Sequence, residues 1–169
     1  IALAGGGADG TYAGDGRNCV SGGTAGERIT TGAADDIILG DNGDLLFANG
    51  LPKQVATTGP GIGGDDVIES GAGNDIVLAG YGADHVTAGS GSDSLVGDNG
   101  QVELNSNGTV NTPVVVKSTD AAVGGSDVLV GEGGNDILIG VIEADLLDGG
   151  ARVVDLAADF RLKDLEQWR

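Results

Sequence analysis

A frame of nine residues runs through most of this chain and limits what the chain can become. Registered on Asp75, the frame puts Asp66, Asp75, Asp84 and Asp93 in one phase. The turns read GIGGDDVIE (61–69), SGAGNDIVL (70–78), AGYGADHVT (79–87) and AGSGSDSLV (88–96). Two residues after each aspartate stands an aliphatic residue: Ile68, Val77, Val86 and Leu95. Upstream, AGGGADGTY (4–12), AGDGRNCVS (13–21), GGTAGERIT (22–30) and TGAADDIIL (31–39) keep the phase, with Asp9, Asn18, Glu27 and Asp36 at the polar position. Downstream, AVGGSDVLV (122–130), GEGGNDILI (131–139) and GVIEADLLD (140–148) are led by Asp127, Asp136 and Asp145. The turns fall into three blocks, and a fixed period of this kind marks a repeat architecture in which each unit buries its apolar side against the next.

Within each turn, six residues suit a loop and three a strand. Glycine, at 34 residues, is almost three times as frequent as the roughly 7% of ordinary proteins, and it permits the tight loops such a period needs. Only 3 prolines are present, which excludes a collagen composition. In a three-residue strand, alternate side chains point to opposite faces. Val77 should therefore point inward, with Ile76 and Leu78 outward. One turn makes a half-coil, so successive strands are expected in two facing parallel sheets. Aromatic residues make up 3% of the chain, so the core between the sheets should be thin and aliphatic. The aspartates then stack in rows along the edges.

The formal net charge is -18, and the acidic excess lies within residues 1–151. Such a surface repels nucleic acid and anionic membranes and attracts cations. The single cysteine, Cys19, excludes an intrachain disulfide. No apolar run approaches the length of a membrane span, and no signal peptide is visible. Methionine is absent even at position 1, so Ile1 either follows a processing cut or begins a fragment. His85 and Cys19 take outward positions and lack the partners of a nucleophilic dyad.

These turns resemble the G-G-x-G-x-D-x-U-x repeat of the RTX (repeats-in-toxin) calcium-binding family over most of residues 4–150. The resemblance implies an all-β, parallel β-roll in which calcium lies between adjacent loops on one edge. It implies carboxylate ligands at Asp9, Asp36, Asp66, Asp75, Asp84, Asp93, Asp127, Asp136 and Asp145. Asn18 and Glu27 depart from the pattern. Calcium takes six to eight oxygen ligands, which carboxylates and loop carbonyls can supply. The resemblance further implies a chain of bacterial origin that folds outside the cell on meeting calcium.

The blocks (4–43, 61–100 and 122–150) are separated by segments without the motif, 44–60 and 101–121. Each interruption follows a Gly-Asp-Asn-Gly run, at 40–43 and at 97–100. Each also holds an Asn-Gly pair, Asn49-Gly50 and Asn107-Gly108, which predicts a β-hairpin insertion. The outward strand positions divide into two kinds. Glu69, His85 and Thr87 leave one sheet mostly polar outside, although Val67 joins them. Ile76, Leu78 and Val96, with Ile37, Leu39, Val128, Val130, Ile137 and Ile139, make the other trend apolar. A face that apolar should be covered, by a hairpin of this chain or by another subunit. The ends of the roll also expose strand edges through which copies could associate into an oligomer or filament.

Residues 151–169 lose the glycine and balance their charge. A strand over 152–156 and a helix over 158–168 would form a C-terminal cap, with Phe160, Leu162, Leu165 and Trp168 on its apolar side. The stretch 152–163 resembles a segment of N-acetyl-gamma-glutamyl-phosphate reductase, but that family's catalytic cysteine motif is missing, so no reductase activity is inferred. The expected role is a non-enzymatic, calcium-rigidified module of an extracellular adhesin, surface layer, matrix or filament. The alternative is the calcium-binding secretion domain of a larger lipase, protease or toxin. Fold does not decide between them.

Overall fold

A computed structural model of the chain describes residues 2–3, 6–105, 112–141, 143 and 145–149. The expected cap at 151–169 and the turn at Asn107-Gly108 lie outside the described residues. The first block supplies β1 (Ala2–Leu3), β2 (Gly10–Gly14), β3 (Cys19–Gly23), β4 (Arg28–Thr31) and β5 (Ile37–Asp41). Then come β6 (Gly43–Ala48) and β7 (Leu51–Thr57), followed by β8 (Val67–Glu69), β9 (Ile76–Leu78), β10 (His85–Thr87), β11 (Ser90–Gly91) and β12 (Ser94–Val96). The last are β13 (Gly100–Leu104), β14 (Pro113–Ser118), β15 (Val128–Val130), β16 (Gly133–Gly134), β17 (Ile137–Ile139) and β18 (Leu146–Asp148). Among the described residues there is no helix, and so none able to cross a membrane.

Successive turns alternate between two parallel six-stranded sheets. The first is ordered β1-β3-β5-β9-β12-β17 and the second β18-β15-β10-β8-β4-β2. Register follows the nine-residue frame, since Ile38 pairs with Val77, Val77 with Leu95, and Leu95 with Leu138. Between the sheets lies the thin aliphatic core. Val20, Ile38, Val77, Leu95 and Leu138 from the first sheet face Ile29, Ile68, Val86 and Leu129 from the second. Each such side chain contributes about 1.5–3 kcal/mol by leaving water.

Glycine is indispensable where the loops pass one another. Gly73 and Gly91 lie four residues into their turns with φ of 140° and 155°. A Cβ at Gly73 would overlap the Ala34 carbonyl, and one at Gly91 the Gly73 carbonyl. Backbone bonds tie these loops together directly: Ala72 N–H donates to the Gly32 carbonyl (2.9 Å), Gly73 N–H to Ser90 (2.9 Å) and Gly133 N–H to Gly89 (2.8 Å).

Both interruptions leave from the first sheet and return to the second. β6 and β7 pair antiparallel on either side of Asn49 and Gly50, β13 and β14 pair antiparallel, and β7 pairs with β13. The result is one four-stranded sheet, ordered β14-β13-β7-β6. Its inner row, Leu45, Val55, Val102 and Val116, packs with Leu104 and Val141 on Ile37, Leu39, Ile76, Leu78, Val96 and Ile139. Among the described residues, the apolar outer face of the first sheet is thus covered by the chain itself. Cys19 is partly buried at its margin, where burial pushes the thiol pKa up.

Val128 and Val130 do not belong to that face. β15 lies in the second sheet, where Val128 pairs with His85 and Val130 with Thr87. The half-coil alternation continues straight through the second interruption, so the turn that follows it lands on the polar side. That side also carries the Arg28–Glu69 ion pair at 2.6 Å.

Candidate metal-binding edges

Loops joining the two sheets stack along two opposite edges. One edge, made by the turns at 31–36, 70–75, 88–93 and 131–136, is uninterrupted. The other, made by the turns at 22–27, 63–66, 79–84 and 124–127 and by Asp145, is where the inserted strands leave and return.

A repeated hydrogen bond positions the aspartates on both edges. On the uninterrupted edge, Asn18 N–H donates to Asp36 Oδ1 (2.6 Å), Asp36 N–H to Asp75 (2.8 Å), Asp75 N–H to Asp93 (2.8 Å) and Asp93 N–H to Asp136 (3.0 Å). On the interrupted edge, Glu27 N–H donates to Asp66 (2.7 Å), Asp66 N–H to Asp84 (2.8 Å), Asp84 N–H to Asp127 (2.9 Å) and Asp127 N–H to Asp145 (3.0 Å). Each carboxylate therefore reaches back to the preceding turn, which fixes its rotamer and buries it. The residue before it reaches forward on the exposed rim: Asp35 Oδ1 accepts Asn74 N–H (2.9 Å), and Asn74 Oδ1 accepts Ser92 N–H (2.9 Å).

Eight of the nine aspartates expected as ligands thus fall into two ladders. Asp9 stands apart, exposed at the open end of the interrupted edge, with its carbonyl accepting Arg28 N–H at 2.9 Å.

The second oxygen of each ladder carboxylate matters most for metal chemistry. In Asp66, Asp75, Asp84, Asp93, Asp127 and Asp136, Oδ2 is buried and has no hydrogen-bond partner. Leaving an ionised oxygen buried and unpaired is costly. Three of these oxygens pack closely on glycine backbone, because a Cβ at Gly40, Gly97 or Gly131 would overlap Oδ2 of Asp66, Asp127 or Asp136.

The electrostatics agree. Burial, with like charges adding to it, pushes Asp84 up to about 9, Asp66 and Asp127 to about 8, Asp93 to about 7 and Asp75 to about 6. The ladder N–H bonds oppose this rise without cancelling it. At neutral pH these oxygens need a proton or a cation. Their chemistry, hard anionic oxygen beside loop carbonyls, fits calcium.

Two further buried carboxylates escape the nine-residue frame. Asp41 and Asp98 occupy the Gly-Asp-Asn-Gly runs ahead of the two interruptions. Asp41 accepts Tyr81 N–H (2.6 Å) and Gly64 N–H (3.2 Å), and Asp98 accepts Gly125 N–H (2.8 Å). Burial raises Asp41 to about 7. The recurrence of those two runs was the signal that could have found them.

A search of curated proteins and a search of solved structures each found no significant match, so the likeness of the tail to a reductase gains no support. The RTX calcium-binding nonapeptide repeat, in four copies, matches residues 21–44, 60–95 and 122–151, just over half of the chain. Those segments contain all the ladder aspartates and Glu27, and RTX nonapeptide repeats bind calcium ions. The chain therefore belongs to the RTX calcium-binding repeat family.

Proposed function

We propose that this chain is a secreted, non-enzymatic structural module whose roll is set by calcium held on Asp36, Asp66, Asp75, Asp84, Asp93, Asp127, Asp136 and Asp145. Residues 1–150 act as one calcium-binding unit with two insertions. The observation that carries the reading is the row of buried, unpartnered Oδ2 atoms on six of these aspartates. A cation bound there joins adjacent turns, and its binding free energy becomes folding free energy. In a calcium-poor compartment the carboxylates repel one another and the glycine-rich loops favour an expanded chain. Outside the cell the same chain closes into a rigid rod suited to an adhesin, surface layer, matrix or filament. Because the inserted sheet covers the apolar face, assembly between copies runs through the solenoid ends, where Tyr12 and Leu146 are exposed.

The test is circular dichroism of the purified chain in excess EGTA and in millimolar calcium, with negative-stain electron microscopy of both samples. Calcium-dependent β signal supports the metal reading, and an unchanged spectrum in EGTA refutes it. Ordered polymers in calcium support the structural role. Monodisperse particles refute it in favour of a detached secretion domain.

A further inference from the structure

The inserted sheet is made of two strand pairs that repeat each other. β6 begins in the first Gly-Asp-Asn-Gly run and β13 in the second. At their roots the Asn42 carbonyl accepts Thr58 N–H (2.9 Å) and the Asn99 carbonyl accepts Thr119 N–H (2.8 Å). Asp44, Leu45 and Leu46 therefore stand in β6 where Gln101, Val102 and Glu103 stand in β13. β13 is paired on both sides, with β14 that follows it and with β7 of the preceding pair. β6 is paired with β7 alone, and among the described residues no strand adjoins its other edge.

That open edge has the features of the paired one. Bonds in an antiparallel pair alternate along the strand. Asn42 bonds toward the β7 side, so Asp44 and Leu46 do so too, and the backbone N–H and carbonyl of Leu45 face the open side. On the corresponding side of β13, Val102 pairs with Val55. Val55 and Val102 are fully buried, whereas Leu45, at the end of the same inner row, is half-buried. Leu46 is 53% exposed and Phe47 48%. Beneath the edge lies a cleft of about 150 Å³, lined by Cys19, Ser21, Leu39, Gly43, Leu45 and Phe47. The first sheet runs on past β3 to β1.

We propose that the open edge of β6 receives an extended segment of a partner protein as a fifth, antiparallel strand, with aliphatic residues opposite Leu45 and Leu46 and a lysine or arginine opposite Asp44. In strand addition the main chain supplies affinity and alternate side chains supply specificity. The pairing of β7 with β13 sets the register. The residue opposite Leu45 enters the cleft, and the one opposite Leu46 covers an exposed leucine. The cation meets an exposed carboxylate on a chain of net charge -18. β14 already presents this pattern to β13, with Val115, Val116 and Lys117 opposite Glu103, Val102 and Gln101. A second copy cannot bring its own β14 to β6 in this register. Its six-stranded first sheet is wider than its four-stranded cover, so the two rolls would overlap.

The probe is a fluorescently labelled synthetic peptide, TPVVVKST, with the sequence of residues 112–119. It is titrated into the full chain at saturating calcium and followed by anisotropy. Saturable binding is expected. Asp44→Lys should weaken it about fivefold, the upper range for one cross-strand charge pair, and a peptide carrying Lys117→Glu should restore binding to that variant. No binding up to millimolar peptide, or binding indifferent to Asp44→Lys, would overturn the proposal. If Asp44→Lys fails to fold, the peptides decide on the wild-type chain: the Lys117→Glu peptide should bind about fivefold more weakly, and equal binding overturns the proposal. Self-association of the peptide-free chain that Asp44→Lys abolishes would assign the edge to a second copy and overturn it as well.

Discussion

Protons should substitute for calcium in this fold, and the direction of that exchange can be worked from the ladder. The perturbation is a pH titration of the full chain in excess chelator. In the closed roll burial pushes Asp75 up to about 6, Asp93 to about 7, Asp66 and Asp127 to about 8 and Asp84 to about 9. In the unfolded chain each returns to about 3.9. A group whose folded pKa is raised adds stability that is complete below the unfolded value and is lost as pH climbs through the folded one. Each such carboxyl changes stability by about 1.4 kcal/mol per pH unit within its window. If only two of the five titrate together, the slope is about 3 kcal/mol per unit. That carries a domain of ordinary stability, about 5–15 kcal/mol, across its transition within a few units. The chelated chain should therefore gain β signal on acidification from pH 9 to pH 5, and millimolar calcium should restore the signal at pH 8 with the least effect at pH 5. Circular dichroism with size-exclusion chromatography at each pH makes the measurement. A chelated chain that is equally folded at pH 5 and pH 9, or less folded at pH 5, would refute the argument.

Three further outcomes follow from single side chains. Asp93→Asn keeps an acceptor for Asp75 N–H but loses a charge, so it should raise the calcium midpoint while folding at saturation; Asp93→Ala also strands the buried N–H and should cost a further ~1–3 kcal/mol in denaturant melts. Ala34 holds φ at 121° where neighbouring turns carry Gly73 and Gly91, so Ala34→Gly should stabilise the calcium form by about 1 kcal/mol, read as a higher melting temperature. Ile76 is 1% exposed beneath the inserted sheet, so Ile76→Ala should cost about 2–5 kcal/mol, whereas a loss near zero in urea melts would mean that the inserted sheet does not cover it.

The repeat is legible in sequence because its period is enforced sterically. Three-residue strands allow one inward residue, so Val77, Val86 and Leu95 announce the core, and the aspartate two residues earlier must fall at the loop's end. Sheet alternation follows from the same count: phase carried across the second interruption puts Val128 and Val130 in the second sheet, whereas their apolar composition alone points to the first. What the count cannot see is contact between distant segments. Nothing in 44–60 or 101–121 encodes that β7 pairs with β13, because two short antiparallel pairs of similar pattern can meet in several registers. Their common anchoring against Ile76, Leu78 and Val96 selects one. Glu27 keeps the phase of the polar position but carries a longer side chain than aspartate, so the frame alone does not say which groups its carboxylate meets.

The two edges explain why the interruptions are tolerated. On the uninterrupted edge, the loops stack backbone to backbone from Ala33 through Ala72 and Ser90 to Gly133, and an insertion there would break that contact. On the other edge, each insertion is closed at its root by a side chain. Asp41 Oδ1 accepts Gly64 N–H, joining the residue that leads into the first insertion to one beyond it, and Asp98 Oδ1 accepts Gly125 N–H across the second. Closing a loop of about twenty residues costs entropy that grows only slowly with length, so a charged acceptor on a backbone N–H, together with the apolar cover, can hold it shut. The carboxylates that close the insertions also stand beside the ladder, since Asp41 raises Asp66 and Asp98 raises Asp127. A cation that relieves this repulsion therefore stabilises the roll and the root of its cover at once, which makes the inserted sheet part of the calcium-dependent fold rather than an appendage to it.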